Sequence, residues 1–272
     1  MLDVSILEQK AKEIRIDVIK SLKEAGSGHL GASLGLADIF TVLYFYELHH
    51  KAGVSDWHAR DRLILSIGHA APVLYVSLAH SGYFHPDELK TLRKLGSRLQ
   101  GHPALCYKLP GVETTSGSLG HGLSIAVGMA ISMIIDKTSH KVYCILGDGE
   151  LQEGSVWEAA MSAAHYKLDN LVAIVDRNEV QIDGNTSEVM DIENLEEKWL
   201  GFGWDVLECN GNDIADIIKS FNIAREKTKP VVIIAHTKMG KGVPEIEGNY
   251  KWHGKVPNSK QAEKFIEAII NT

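Results

Sequence analysis

Apolar positions recur along the chain in two periods. Over residues 5–25, Ile6, Leu7, Ile14, Val18, Ile19 and Leu22 fall at helical spacing, and the pattern stops at Gly26-Ser27-Gly28. A loop of small residues follows, and Ser33 or Asp38 is expected to start the next helix, through Ile39, Leu43 and Phe45. Short apolar runs at 62–67, 142–146, 171–175, 204–207 and 231–236 are bounded by Gly and polar residues and read as buried strands. Helical patterns lie between them. Pro72 enters one, and Pro86 opens another with Asp87 and Glu88 in its first turn. A Gly- and Ala-rich helix runs to about residue 135, and two more are expected over 157–166 and 214–224. A last short helix is expected over 260–270. Strands alternating with helices argue an α/β fold, a mainly parallel sheet with helices on both faces. Residues 1–272 are expected to form a single domain, with a Gly-, Pro- and Lys-rich extension from about 238.

The stretch 141–184 carries the most chemistry. Its first strand ends in Gly147-Asp148-Gly149 and its second in Asp176-Arg177-Asn178, with a helix between. Such a βαβ unit is almost always right-handed, so Asp148 and Asn178 sit at carboxyl ends of strands in one sheet. That edge is where open α/β sheets bind ligands. A carboxylate beside an amide oxygen suits a hard cation such as Mg²⁺. Gly149 and the helix start after it offer backbone N–H groups to a phosphate. The stretch therefore reads as a metal–diphosphate site. Before it, 96–122 is the longest irregular region, with Gly at 101, 111, 117, 120 and 122. Glycine lets backbone approach a ligand closely, and long loops in compact domains are commonly functional.

Composition narrows the classes. A chain of 272 residues, 44% hydrophobic, has enough apolar surface for a full core. A net charge of −7 without a like-charge block argues against a nucleic-acid surface. The N-terminus lacks a signal-peptide core, and the apolar stretch at 125–135 is too short for a membrane span. Cys106, Cys144 and Cys209 are scattered and form no CxxC pair, so neither a disulfide framework nor a zinc site is indicated. A cytoplasmic protein is expected.

Motif order adds a resemblance. GDGELQEG (147–154) with Asn178 thirty residues beyond Asp148 resembles the thiamine diphosphate motif. Together with SGHLGA, GHA, GHP, GSLGHG and WHG elsewhere, it is similar to transketolase, and the match covers the whole chain as the N-terminal half of that enzyme. The resemblance implies thiamine diphosphate with Mg²⁺ (or Ca²⁺), held by Asp148, Asn178 and the backbone carbonyl of Val180. Gly149 is implied to lie against the diphosphate, with His69 and His29 reaching the diphosphate and the substrate side of the cofactor. Gly117, Ser118 and Leu119 match the segment that touches the aminopyrimidine. His102 and His253 match histidines near the reacting carbon and the substrate channel. Glu153 and Glu158 match acids at the subunit interface that links two cofactors. His121 stands where the family has Gln. Imidazoles titrate near neutral pH, which suits proton movement to and from sugar hydroxyls. The other histidines read as surface or structural.

The family also needs a Glu and sugar-phosphate ligands from a second, pyrimidine-binding domain. The chain stops before one, so the resemblance implies a split transketolase acting on sugar phosphates. Its expected assembly is α2β2, two of these chains with two C-terminal partner subunits. Other thiamine diphosphate enzymes, such as deoxyxylulose-phosphate synthase or a 2-oxo acid dehydrogenase α-subunit, share GDG…N. A non-catalytic cofactor-binding module is a further alternative. ELQEG and the paired GHA and GHP histidines favour transketolase. The ketose donor and aldose acceptor are left open, because their anionic groups should be read by the partner.

Overall fold

The computed structural model describes residues 3–54 and 57–271. Among these, five parallel strands form one sheet, in the order β1 (Arg62–Leu65), β2 (Val142–Gly147), β3 (Leu171–Arg177), β7 (Val231–His236), β6 (Asp205–Asn210). Just beyond β3, β4 (Val180–Gln181) and β5 (Gly184–Asn185) form a small antiparallel ribbon. One face of the sheet carries α1 (Val4–Ala25), α2 (Gly31–Gly35), α3 (Ala37–Val42), α4 (Ala71–His80), α9 (Ile214–Arg225) and α10 (Ser259–Ile270). The other carries α5 (Gly122–Ile135), α6 (Gly154–His165) and α8 (Leu195–Gly201), while α7 (Thr186–Val189) follows the ribbon.

The strand sequences explain the layering. Along β3, Leu171, Ala173 and Val175 enter the α5–α6–α8 core, and Val172 and Ile174 enter the opposite one. Side chains alternate across a strand, so a strand covered on both faces must be apolar throughout. β2 and β3 are indeed buried at every position. Each fully buried Val, Leu or Ile contributes about 1.5–3 kcal/mol relative to exposure. Trp199 and Trp204 pack 4.9 Å apart in the second core, and Trp204 Nε1 donates to the Ala160 carbonyl at 2.8 Å, which satisfies its polar tip.

Helix ends follow their capping residues. Asp3 accepts from Ser5 N–H at the start of α1, and Gly26 closes it in the left-handed region at φ 67°. Asn258 and Gln261 form a capping box on α10. Two expectations fail here. Neither Ser33 nor Asp38 starts a helix. The Ser33 hydroxyl donates back to the His29 carbonyl, and Asp38 is drawn into an ion pair with buried Arg15. Nor does a helix follow Gly149 directly. A 3₁₀ turn, Gly149–Gln152, intervenes, and α6 begins only at Gly154. The segment after Pro86 is likewise 3₁₀. Beyond β7 the chain folds back over α2. Gly240 N–H donates to the Gly31 carbonyl at 2.9 Å, and Met239 fills the space that a side chain at Gly31 would take.

Candidate active site

The carboxyl ends of β1, β2 and β3 open into a cavity of about 380 Å³. Its floor is polar. Asp148, 2% exposed, follows the last residue of β2, and its Oδ1 accepts from Gly149 N–H at 2.7 Å. Its Oδ2 accepts from Glu179 N–H at 2.6 Å and from Arg177 Nη1 at 3.1 Å. Burial pushes the Asp148 carboxyl up, against these donors. Asn178 follows β3. Its Nδ2 donates to Asp176 at 2.8 Å and its Oδ1 accepts from Val180 N–H at 3.0 Å, which fixes the amide's orientation. Asp176 is more deeply buried still. Desolvation pushes it up to about 7, although Thr237 and Asn178 both donate to it.

Four imidazoles form the opposite wall. His69 lies 5.1 Å from both His29 and His253, ring centre to ring centre; His29 lies 5.8 Å from His253 and 6.4 Å from His102. Burial holds His69 down to about 3 and His29 down to about 4, and the neighbouring rings add to it. His102 is lowered by burial and by the Arg93 guanidinium, and His253 by burial. All four are therefore neutral at neutral pH, each with one N–H and one acceptor nitrogen. The buried Nδ1 atoms of His29 and His253 have no hydrogen-bond partner among the described residues. A buried nitrogen without a partner is uncommon in a folded protein, and both belong to residues that line the cavity.

Loops deliver these rings, and close backbone contact positions the loops. A Cβ at Gly68 would lie 2.7 Å from Gly117 N, so the GHA turn and the 116–117 segment touch main chain to main chain. Gly117, at φ 138°, has the His102 ring where a side chain would be. Buried Glu150 ties these parts to the sheet. Its Oε1 accepts from Gly120 N–H at 2.8 Å and from the Ser66 hydroxyl, and its Oε2 accepts from Gly147 N–H at 3.2 Å.

Asp148, Gly149, Asn178 and Val180 thus line one end of the cavity, and His29, His69, His102 and His253 the other. Gly117, Leu119 and Glu153 lie along its rim. Ser118 does not reach it and faces a smaller cavity of about 210 Å³ beside His121. Glu158 is exposed on α6, away from the lining. Sequence reasoning passed over Glu150, Asp176, Gln181, Ile182 and Arg177. Ile182, an apolar residue 69% exposed on the cavity wall, carried a signal in its position before Asp183-Gly184. A buried acid such as Glu150 carries none, since in sequence it matches any acid at a helix start.

The donor set at the polar end is a carboxylate and an amide oxygen, which is hard-cation chemistry. No group of three His, Cys, Asp or Glu side chains among the described residues forms a metal cluster. A cation here would complete its shell with backbone and ligand oxygens, and His29, His69, His102 and His253 line the remaining space. The residues present therefore fit a metal-bound diphosphate. A larger cavity of about 520 Å³, between α1 and the start of α9, has no comparable grouping, and Arg15 and Asp38 on its wall satisfy each other.

A family model for the transketolase thiamine diphosphate binding domain matches residues 6–266. The chain is 42% identical over 269 residues to an apulose-4-phosphate transketolase subunit from Phocaeicola vulgatus, covering 98% of this chain and 95% of the relative. It is 39% identical to a 6-deoxy-6-sulfo-D-fructose transketolase subunit of a Clostridium species, covering 97% and 94%. Transketolase from Campylobacter jejuni is similar in structure, with a TM-score of 0.92 and 38% identity over 99% of this chain, which spans 43% of that longer enzyme. This chain belongs to the transketolase family and corresponds to its thiamine diphosphate-binding domain.

Proposed function

We propose that this chain is the diphosphate-holding subunit of a transketolase. The reaction moves a two-carbon ketol unit from a ketose phosphate to an aldose phosphate. The observation that carries the reading is the pairing of a buried Asp148–Asn178 oxygen site with four clustered imidazoles across one cavity. In this reading Asp148, Asn178 and the Val180 carbonyl hold Mg²⁺ (or Ca²⁺), and Gly149 N–H faces the diphosphate. Bound thiamine diphosphate supplies a nucleophilic carbon and an electron sink for cleaving the bond beside the ketose carbonyl. This chain's part is to place groups around that carbon. His102 and His29 exchange protons with substrate hydroxyls, His253 lines the entry side, and His69 supports the diphosphate end. Neutral imidazoles suit these roles because each can accept or donate without first losing a charge. Gly117 and Leu119 lie toward the aminopyrimidine, and Glu153 and Glu158 face a subunit interface.

The partner is a second polypeptide with a pyrimidine-binding domain, assembled as α2β2. Relatives of near-equal length are themselves named as transketolase subunits, which supports such a partner. Their names span apulose 4-phosphate and a 6-sulfo-fructose, which supports a ketose donor whose anionic group is read by the other subunit. The whole chain, with the segment from about 238, acts as one domain. Cys106, Cys144 and Cys209 are unpaired, and no helix among the described residues is long and apolar enough to cross a membrane; both support a cytoplasmic enzyme. The test is Asp148→Ala, titrated with thiamine diphosphate at saturating Mg²⁺ in a calorimeter. Mg²⁺-dependent binding is expected to fall by about a hundredfold or more. Unchanged affinity removes Asp148 from the metal site and the reading with it.

A further inference from the structure

Arg177 occupies a position that neither the histidine wall nor the oxygen site explains. Its side chain is 8% exposed, beside an Asp148 side chain that is 3% exposed. Nη1 donates to Asp148 Oδ2 at 3.1 Å and to Thr186 Oγ1 at 2.9 Å, and Nη2 donates to Glu193 Oε1 at 2.5 Å. The three acceptors come from the end of β2, the start of α7 and the approach to α8. The other oxygen of Glu193 accepts from Leu195 N–H, the first residue of α8. Asp148 Oδ2 also takes Glu179 N–H, and Thr186 N–H donates to the Glu179 carbonyl at 3.0 Å. One guanidinium thus ties down the segment 178–193, which contains Asn178 and Val180.

We propose that Arg177 is a positioning residue that stands in for the cation, holding Asp148 and the 178–193 segment in their receptive arrangement before metal and diphosphate arrive. The proposal rests on the reading of Asp148, Asn178 and Val180 as metal ligands. A buried carboxylate without a compensating charge is costly, and the guanidinium supplies one from inside the protein. Only a planar fork can serve Asp148, Thr186 and Glu193 together; an ammonium is a point charge. Val180 and Ile192 are buried near the two ends of the segment, while Ile182, Val189 and Met190 between them are exposed, so polar ties add to two apolar anchors in setting how readily it opens. The arginine does not block the site. Asp148 Oδ1 has one donor, Gly149 N–H, among the described residues, which leaves lone pairs for a cation while Oδ2 stays on Arg177.

Hydrogen exchange on this chain assembled with its pyrimidine-domain partner tests this, comparing wild type with Arg177→Gln and Arg177→Lys. Without metal, amides of 178–193 are expected to exchange about tenfold faster in both variants, with β2 and β3 unchanged. Saturating Mg²⁺ with thiamine diphosphate is expected to bring both variants to the protection of the loaded wild type, closing the gap seen without metal. Equal metal-free exchange in wild type and variants overturns the proposal. So does a lack of rescue while wild type gains protection on loading. If wild type gains none around Gly147–Gly149, the underlying metal reading has failed instead. Should Arg177→Gln not fold, Arg177→Lys, which keeps the charge, carries the same comparison.

Discussion

At the scale of single residues, function separates into groups that hold and groups that react. Asp148 and Asn178 are fixed by backbone donors on either side, as a metal site requires. His102 is different: it is exposed, with Arg93, the edge of the His29 ring and the glycine opposite its own ring as neighbours. Its removal should therefore cost chemistry and spare binding. His102→Ala is expected to lower turnover of the assembled enzyme by about a hundredfold, with thiamine diphosphate affinity close to wild type. Parallel titration and steady-state assay check it, and equal loss of both assigns His102 a structural role. Legibility in the sequence divides along the same line. The GDG turn, Asn178 and the histidines were legible because each sits in a short motif whose chemistry is local. Glu150 and Arg177 were not, because each joins several segments at once, Glu150 reaching Ser66 and Gly120 and Arg177 reaching Asp148, Thr186 and Glu193, and no short motif announces such a junction. Ser118 was legible only through its motif, and it faces a different cavity from Gly117 and Leu119.

At the scale of elements, the rigid part of the site is the sheet edge and the adjustable part is loop. Periodicity located the apolar centres of the strands, but β3 runs on through buried Asp176 and Arg177 and β6 through Asn210, where polar residues hid the strand ends. It placed the starts of α2, α3 and α6 less well. There, polar residues that look like caps serve tertiary contacts instead: Ser33 turns to its own loop and Asp38 to Arg15. The meeting of the GHA turn with the 116–117 segment leaves no room for a side chain. Gly68→Ala is expected to destabilise the chain by about 1–3 kcal/mol and to weaken thiamine diphosphate binding as well. Urea unfolding with a cofactor titration checks it. A stability loss with unchanged affinity would mean that this contact supports the fold and not the loop's aim.

At the scale of the whole molecule, the apolar residues Leu119 and Ile182 line the cavity and are exposed. That is consistent with a site finished by another polypeptide. The purified chain with thiamine diphosphate and Mg²⁺ is expected to show no turnover of ketose phosphates, and activity is expected to appear when the pyrimidine-domain partner is added. A coupled assay with sedimentation of the mixture checks both parts, and turnover by the chain alone sinks the split-enzyme reading.

The packing of α10 against α1 carries a further consequence. Ala262, Phe265 and Ile269 enter the same core as Ile14, Val18 and Leu22, and the segment before α10 brings His253 against His29. These neighbours come from opposite ends of the described chain. A ribosome releases α1 long before α10, so the face of α1 that meets α10 waits uncovered through most of synthesis. The quartet of imidazoles cannot close until the segment carrying His253 has emerged. The cavity is therefore complete only once that segment has packed beside His29.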